Sequence, residues 1–357
     1  MPDNSEQFSF FRRWIVFGVS AAGFFMAFSC ATSVNVALPI LEQEFSASLS
    51  GIQWVVTAYL LAVTSVLPVF GWLGDVLQRK RVIAAGFFLF GLGGFLCAQS
   101  TSLGQLVLSR IVQGIGASME SSNSYAAVTA VFPVNQRGKV FGLQGIVVAL
   151  GSISGPSIGG FLLEYFSWHS IFYITLPVAL LGVILTLVYM PEATPRKAGR
   201  FDIVGALTLI LAIAVFILAL SQWGRLGWTD AEIAVCGAGS LALFSFLVYW
   251  EKRVKSPLID IGMFRNKIFV NGNIAGLCSF LAINTNSVLL PFYLHKILGA
   301  TPKTMGIVMI AFPIALIIAA PLSGTLSDRY GAPKFAVTGM SLMTSSLLLL
   351  AFVARYE

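Results

Sequence analysis

Charge is scarce in this chain. Asp, Glu, Lys and Arg make up 10% of its 357 residues, against 57% hydrophobic residues. Little sequence is left for a water-soluble domain, and a soluble helix would need a polar face that most of the chain does not offer. Histidine occurs twice, as His169 and His295. The four cysteines, Cys30, Cys97, Cys236 and Cys278, are scattered without a CxxC pair. These shortages argue against a zinc site and a disulfide framework. They also leave no nucleophile–base or metal cluster for an intramembrane enzyme. The phosphate-cradling pattern G-x-x-x-x-G-K-[ST] is absent, which argues against an ATP-driven pump. Gly114, Gly116 and the glycines of 91–94 lie inside apolar runs, where a nucleotide fingerprint has no meaning.

Long apolar runs fill the chain instead. Eleven of them are expected near 14–38, 51–73, 82–100, 104–131, 138–163, 168–190, 203–222, 232–250, 268–295, 303–325 and 334–354. Each is about 19–28 residues, enough to cross a hydrocarbon core ~30 Å thick at ~1.5 Å per helical residue. Barrel strands are shorter and alternate in polarity. The expected fold class is therefore an all-α polytopic membrane protein. The first run is too long for a signal-peptide core and reads as a retained helix. Basic residues gather in alternate gaps: Arg12 and Arg13, Arg79 to Arg81, Arg137 and Lys139, Arg196 to Arg200, Lys252 to Lys255, Arg265 and Lys267, Arg329 and Lys334. The other gaps hold only Arg225, Lys296 and Lys303, with Arg355 at the end. By the positive-inside rule the amino terminus is cytoplasmic, and after eleven spans the carboxyl end faces outside. The net charge of +7 then reflects topology and attraction to lipid headgroups, not a nucleic-acid partner.

Two segments resemble one another. Gly71-Trp-Leu-Gly-Asp75 follows the second run, and Gly324-Thr-Leu-Ser-Asp328 follows the tenth, 253 residues later. Both are expected in short cytoplasmic loops. Parallel repetition over eight spans fits a transporter built from two equivalent halves with two extra helices between them. The expected division is a six-helix half over 1–190, a linker with two further transmembrane helices over 191–267, and the first three helices of a second half over 268–357. On that count three more helices belong after Glu357, so the sequence is either a piece of a longer protein or the product of a disrupted gene.

The polar residues inside the runs carry the functional question. A charge at mid-membrane costs ~2.5–3.5 kcal/mol on insertion scales, so Arg110 and Glu120 each need a cavity or a partner. Gln113 and Glu120 are two turns apart and share a helix face, which Asn123 and Ser124 extend and Arg110 begins. The wall of a central cavity is the simplest place for such a stripe. A carboxyl group out of water is suited to binding and releasing a proton, so Glu120 is a candidate proton or solute site. The competing reading is a structural ion pair with another span. A direct pair with Arg110 on the same helix is excluded by a rise of about 15 Å. In the ninth run Asn271, Asn273, Asn284 and Asn286 either meet solute or bond neighbouring helices. Asp75 closes a helix whose carboxyl terminus repels it, so it needs a helix amino terminus, Arg79 or Lys80 as partner. Otherwise it is only a charged turn that sets topology. Gly151, Gly155 and Gly159 line one helix face for close packing. Pro156 removes a backbone donor among them and favours a bend.

In order along the chain, five patterns resemble the major facilitator superfamily, and within it the fourteen-span drug:proton antiporters of the EmrB/QacA type. They are Asn35-Val-Ala-Leu-Pro39, Gln53-Trp54-x4-Tyr59, the loop Gly71 to Arg81, Arg110-Ile-Val-Gln113-Gly114-Ile-Gly116, and Gly151 to Gly160. The resemblance implies a secondary active transporter that exports small, partly apolar compounds by alternating access. Its partners would be the solute, protons and the lipid bilayer, with no cofactor and a proton gradient as energy source. Its place would be a bacterial cytoplasmic membrane. It implies that Arg110 and Gln113 belong to a proton-linked fourth helix; Glu120 is not part of that pattern, and it is the polarity of the residues themselves that sets Asn35, Glu120, Asn123, Asn284 and Asn286 along the expected pathway. It implies two cytoplasmic latches: Asp75 with Arg79 and Lys80, and Asp328 and Arg329 against the start of the fifth helix near Arg137. It makes Gly151, Gly155, Pro156 and Gly159 the antiporter helix. Two positions depart from the family. Gln78 stands where glycine is usual, and Cys30 where an aspartate is usual. A neutral thiol cannot replace a membrane carboxylate. Either Glu120 has taken over that task, or coupling differs, or the protein is a non-transporting remnant, binder or sensor.

Overall fold

The computed structural model describes residues 9–191, 201–222, 229–254, 257–299 and 302–356. Arg196, Lys197, Arg200, Arg225 and Lys255 of the basic pattern lie outside those residues, as do the side chains of Asn284, His295, Lys296, Lys303 and Arg355.

The described residues are helical throughout, without a strand. In order they form α1 (Phe10–Glu44), α2 (Leu49–Ile52), α3 (Trp54–Leu77), α4 (Arg79–Ala98), α5 (Leu103–Val131), α6 (Arg137–Tyr165), α7 (Ser170–Tyr173), α8 (Thr175–Tyr189), α9 (Ile203–Gln222), α10 (Asp230–Glu251), α11 (Lys267–Lys296), α12 (Pro302–Tyr330) and α13 (Ala332–Tyr356). Caps sit where the sequence supplies them. Ser102 accepts from the Gln105 amide at the start of α5, and Thr229 with Glu232 forms a capping box at the start of α10. Among the described residues, 8 helices are long and apolar enough to cross a membrane. α5 falls short because Arg110, Gln113, Glu120 and Asn123 lower its hydropathy, although it is 29 residues long.

Three expected boundaries move. The run expected at 168–190 is broken at Ile174 into α7 and α8, and the run at 51–73 begins with the separate turn α2. Asp75 and Asp328, expected in loops, lie inside α3 and α12. Nothing in 71–77 or 324–330 forces the backbone out of a helix. Each helix ends two residues beyond its aspartate, at Leu77 and Tyr330, and φ turns positive at the next residue, Gln78 (φ +79°) or Gly331 (φ +94°).

The chain forms two compact units, Met1–Phe132 with Leu150–Asp260, and Pro133–Ala149 with Ile261–Glu357. In the first, α5 is central and packs chiefly on α3 and α4; α4 also packs on α8, and α9 on α10. One end is closed by an apolar cluster in which Val34, Leu41, Ile52, Val55, Leu106 and Phe172 are fully buried. The later part of α6 lies directly on α1. A Cβ built at Gly151, Gly155 or Gly159 would come 2.9, 2.6 or 2.9 Å from the carbonyl oxygens of Phe25, Ser29 and Ser33. Both sets repeat every four residues, so two helix backbones touch along matched stripes, the arrangement small residues favour in lipid. The Ser33 hydroxyl donates to the Gly155 carbonyl at 2.7 Å. In the second unit the start of α6 crosses the end of α12 in the same way, Gly138 against Gly324 and Gly142 against Ala320.

Gly155→Val is expected to destabilise the protein by about 1–3 kcal/mol, the usual cost of overpacking. The thermal midpoint of the purified protein in detergent checks this, and an unchanged midpoint would show that the α1–α6 contact is not tight.

Candidate functional site

Arg110, Gln113, Glu120, Asn123 and Ser124 do form one stripe on α5, and all are at most 2% exposed. In this conformation the stripe faces neighbouring helices and not an open cavity wall. The reason is a set of glycines in those helices, each offering a notch. Gly23 of α1 lies against the Glu120 carboxyl, Gly74 of α3 against the Asn123 amide, and Gly93 of α4 against the backbone of Gln113. A methyl group at any of these would collide with the α5 residue opposite.

Arg110 is completely buried. Its Nε donates to the Val55 carbonyl at 3.1 Å, and its Nη1 donates to Gln113 Oε1 at 2.6 Å and to Cys30 Sγ at 3.5 Å. The guanidinium carbon sits 4.0 Å from the centre of the Tyr59 ring, a cation–π arrangement. Arg110 Nη2 and Gln113 Nε2 have no hydrogen-bond partner among the described residues. The thiol of Cys97 lies 3.9 Å from Gln113 Oε1.

Glu120 is 2% exposed. The Ser124 hydroxyl donates to its Oε1, and its Oε2 has no partner among the described residues. No basic group among those residues lies within salt-bridge distance of it. Asn123 serves as a clamp: its Nδ2 donates to the Phe70 carbonyl of α3 at 2.9 Å and to the Met119 carbonyl at 3.1 Å. Asn35 lies exposed on α1, apart from the buried stripe. In the second unit Asn286 is half-buried, Asn273 donates to the Phe269 carbonyl at 2.8 Å, and Asn271 is exposed. Asn284 is outside the described side chains.

The two aspartates of the repeat have different partners. Asp75 Oδ1 accepts from Arg79 Nη2 at 2.6 Å, a half-exposed pair one turn apart. Asp328 reaches the amino terminus of α6, where Gly138 N donates to Oδ1 at 2.8 Å and Lys139 N to Oδ2 at 3.0 Å. A carboxylate there satisfies two orphan amides and complements the helix dipole. Arg137 is the first residue of that helix. Arg329 is exposed, with its guanidinium 5.4 Å from the Tyr330 ring. Lys80 is half-buried at the start of α4. Gly151, Gly155 and Gly159 line the α1 contact described above, and Pro156 lies within α6 without ending it.

The glycine notches and the Val55 carbonyl were not expected from sequence. The notch glycines look like ordinary packing glycines until the facing helix is known.

The Major Facilitator Superfamily profile matches residues 19–263 and 273–356. The riboflavin transporter RibZ of Clostridioides difficile is 36% identical over 343 residues, which cover 96% of this chain and 74% of that protein. The multidrug resistance protein Stp of Mycobacterium tuberculosis is 34% identical over 335 residues, covering 92% of this chain and 62% of Stp. Among solved structures, the proton:xylose symporter XylE bound to 6-bromo-6-deoxy-D-glucose superposes with a TM-score of 0.58 at 14% identity, covering 89% of this chain and 70% of that one. The likeness to XylE shows the fold.

Removing the Asp328 carboxylate should cost more than removing that of Asp75. Asp328→Ala uncaps a helix, worth about 0.5–2 kcal/mol, whereas Asp75→Ala breaks an exposed i,i+4 pair worth about 0.3–0.5 kcal/mol. Thermal midpoints of the two variants should fall in that order, and the reverse order would discount the α6 cap. Gln78→Gly should raise the midpoint, since a side chain in the left-handed region costs roughly 1–2 kcal/mol and the corresponding residue of the second segment is Gly331. A lowered midpoint would show that the Gln78 side chain makes up for its backbone.

Proposed function

The chain belongs to the Major Facilitator Superfamily, and we propose that it acts as a proton-coupled exporter of small, partly apolar compounds. The observation that carries the reading is Glu120. It is a carboxyl group buried in a helix bundle, without a basic partner among the described residues and with one oxygen unpaired. A permanent carboxylate in that setting is costly, whereas a carboxyl group that stays protonated while buried and ionises only when the site opens to water avoids the cost. The names of the relatives, a riboflavin transporter and a multidrug resistance protein, support a small organic solute.

The proposal includes the fourteen-span drug:proton antiporter plan, with halves over 1–190 and from 268 onward joined by the linker 191–267. It places the amino terminus on the cytoplasmic side of a bacterial inner membrane. Access alternates as the halves rock. Asp75 with Arg79 and Lys80, and Asp328 with Arg137 and Arg329, restrain the cytoplasmic side. Solute and protons pass Arg110, Gln113, Glu120 and Asn123, with Asn35, Asn284 and Asn286 further along. The α1–α6 contact at Gly151, Gly155 and Gly159, bent at Pro156, transmits the motion. The competing reading, a membrane binder or sensor that does not transport, draws on Cys30, whose neutral thiol meets Arg110.

Efflux of a fluorescent apolar dye from cells decides between them. Cells carrying the wild type should clear dye when energised, and Glu120→Gln should return them to the level of empty-vector cells at equal protein abundance. Wild-type cells that match empty vector would support the binder. Unimpaired efflux by Glu120→Gln would remove Glu120 from the proton path.

A further inference from the structure

The surroundings of Arg110 are unusual for a buried cation. A guanidinium keeps its charge at any ordinary pH, and here it is 0% exposed. The groups it bonds or stacks against among the described residues are neutral: the Val55 carbonyl, the Gln113 amide oxygen, the Cys30 sulfur and the Tyr59 ring face. Among the described residues no carboxylate lies within 4.0 Å of it. Dipoles and a π face soften a buried charge, but they leave a whole positive charge in place. The donors also outnumber the acceptors, since Arg110 Nη2 and the neighbouring Gln113 Nε2 are both unpaired.

A partly open cavity within the first unit shares Cys30 with this cluster, though Arg110 and Gln113 do not line it. This cavity of about 100 Å³ has Ser29, Cys30, Ser33 and Thr175 as its polar edge and apolar side chains elsewhere. Two of those four residues connect it to the cation. Cys30 Sγ accepts from Arg110 Nη1, and Thr175 Oγ1 and Gln113 Nε2 crowd the same face of Gly94. The cavity is smaller than the ~150 Å³ space that holds benzene in a protein core. Its size therefore suits a halide or the acidic end of a compact organic molecule.

We propose that Arg110, with Gln113 beside it, is the anchor for an anion: the carboxylate of an acidic solute or a small inorganic anion, seated next to Cys30 at the edge of this cavity. The anion supplies the negative charge that the described residues do not, and its binding turns the two unpaired donors, sealed from the cavity in this conformation, toward the Cys30 edge. The inference rests on the transport reading in that it names a chemistry for the solute pathway. Its test involves no flux, so the two can fail separately.

The experiment measures the thermal midpoint of the purified protein in detergent against increasing sodium chloride or sodium propionate. Ionic strength is held constant with sodium gluconate, whose anion is too bulky for the cavity. Binding to the folded state alone raises the midpoint with concentration and then saturates. Wild type should show that rise with at least one of the two anions. Chloride acting alone would identify an inorganic counter-ion, and propionate exceeding chloride would identify an acidic solute. Cys30→Asp places a carboxylate where the sulfur now meets Nη1, so the response should vanish while the gluconate baseline stays level or rises. Slower alkylation of the wild-type Cys30 thiol in propionate or chloride than in gluconate reads the same site without a substitution. No rise in the wild type for either anion, an equal rise in Cys30→Asp, or Cys30 alkylation indifferent to both anions overturns the proposal.

Discussion

The first unit is arranged around one demand, that the polar stripe of α5 be accommodated without water. An arginine, a glutamate, a glutamine and an asparagine sit in sequence on a helix that must still pack against three others. Two kinds of provision meet the demand. Backbone carbonyls from α3, at Val55 and Phe70, accept from Arg110 and Asn123. Glycines at Gly23, Gly74 and Gly93 bring neighbouring helices close enough to enclose the side chains. The bundle thus spends its small residues where the large polar ones are. In lipid this is the economical choice, because apolar contact alone gives helices little reason to associate.

Close backbone approach recurs away from the stripe. The α1–α6 contact in the first unit and the α6–α12 crossing in the second are both built from small residues spaced by four. α6 carries both sets, its early residues belonging to one compact unit and its later ones to the other. One helix therefore takes part in both packing schemes, with Pro156 in the later part.

Much of this was readable from the residues. The apolar runs, the all-helical class and the face shared by Gln113, Glu120 and Asn123 follow from composition and helical period. The family follows from five short patterns in order. The boundaries at Gln53 and Ile174 were not readable, because neither residue is a helix breaker by type. Asp75 and Asp328 were expected in loops because charge and glycine suggested them; the helices run on because nothing there opposes helical backbone, and they stop only at a positive φ. Partnerships were hidden for a different reason. Whether Arg110 meets an acid or a thiol depends on α1, eighty residues earlier in the chain, and no local pattern encodes that meeting.

The fit of Gly23 against the Glu120 carboxyl has a temporal consequence. Glu120 is 2% exposed and Gly23 of α1 lies against its carboxyl group, so water reaches that group only as fast as the packing around it opens. Were proton exchange to depend on that opening, the state of Glu120 would persist for the lifetime of the closed packing. The side chain would then act as a one-bit memory whose refresh rate is set by helix separation and not by the acidity of the surrounding water.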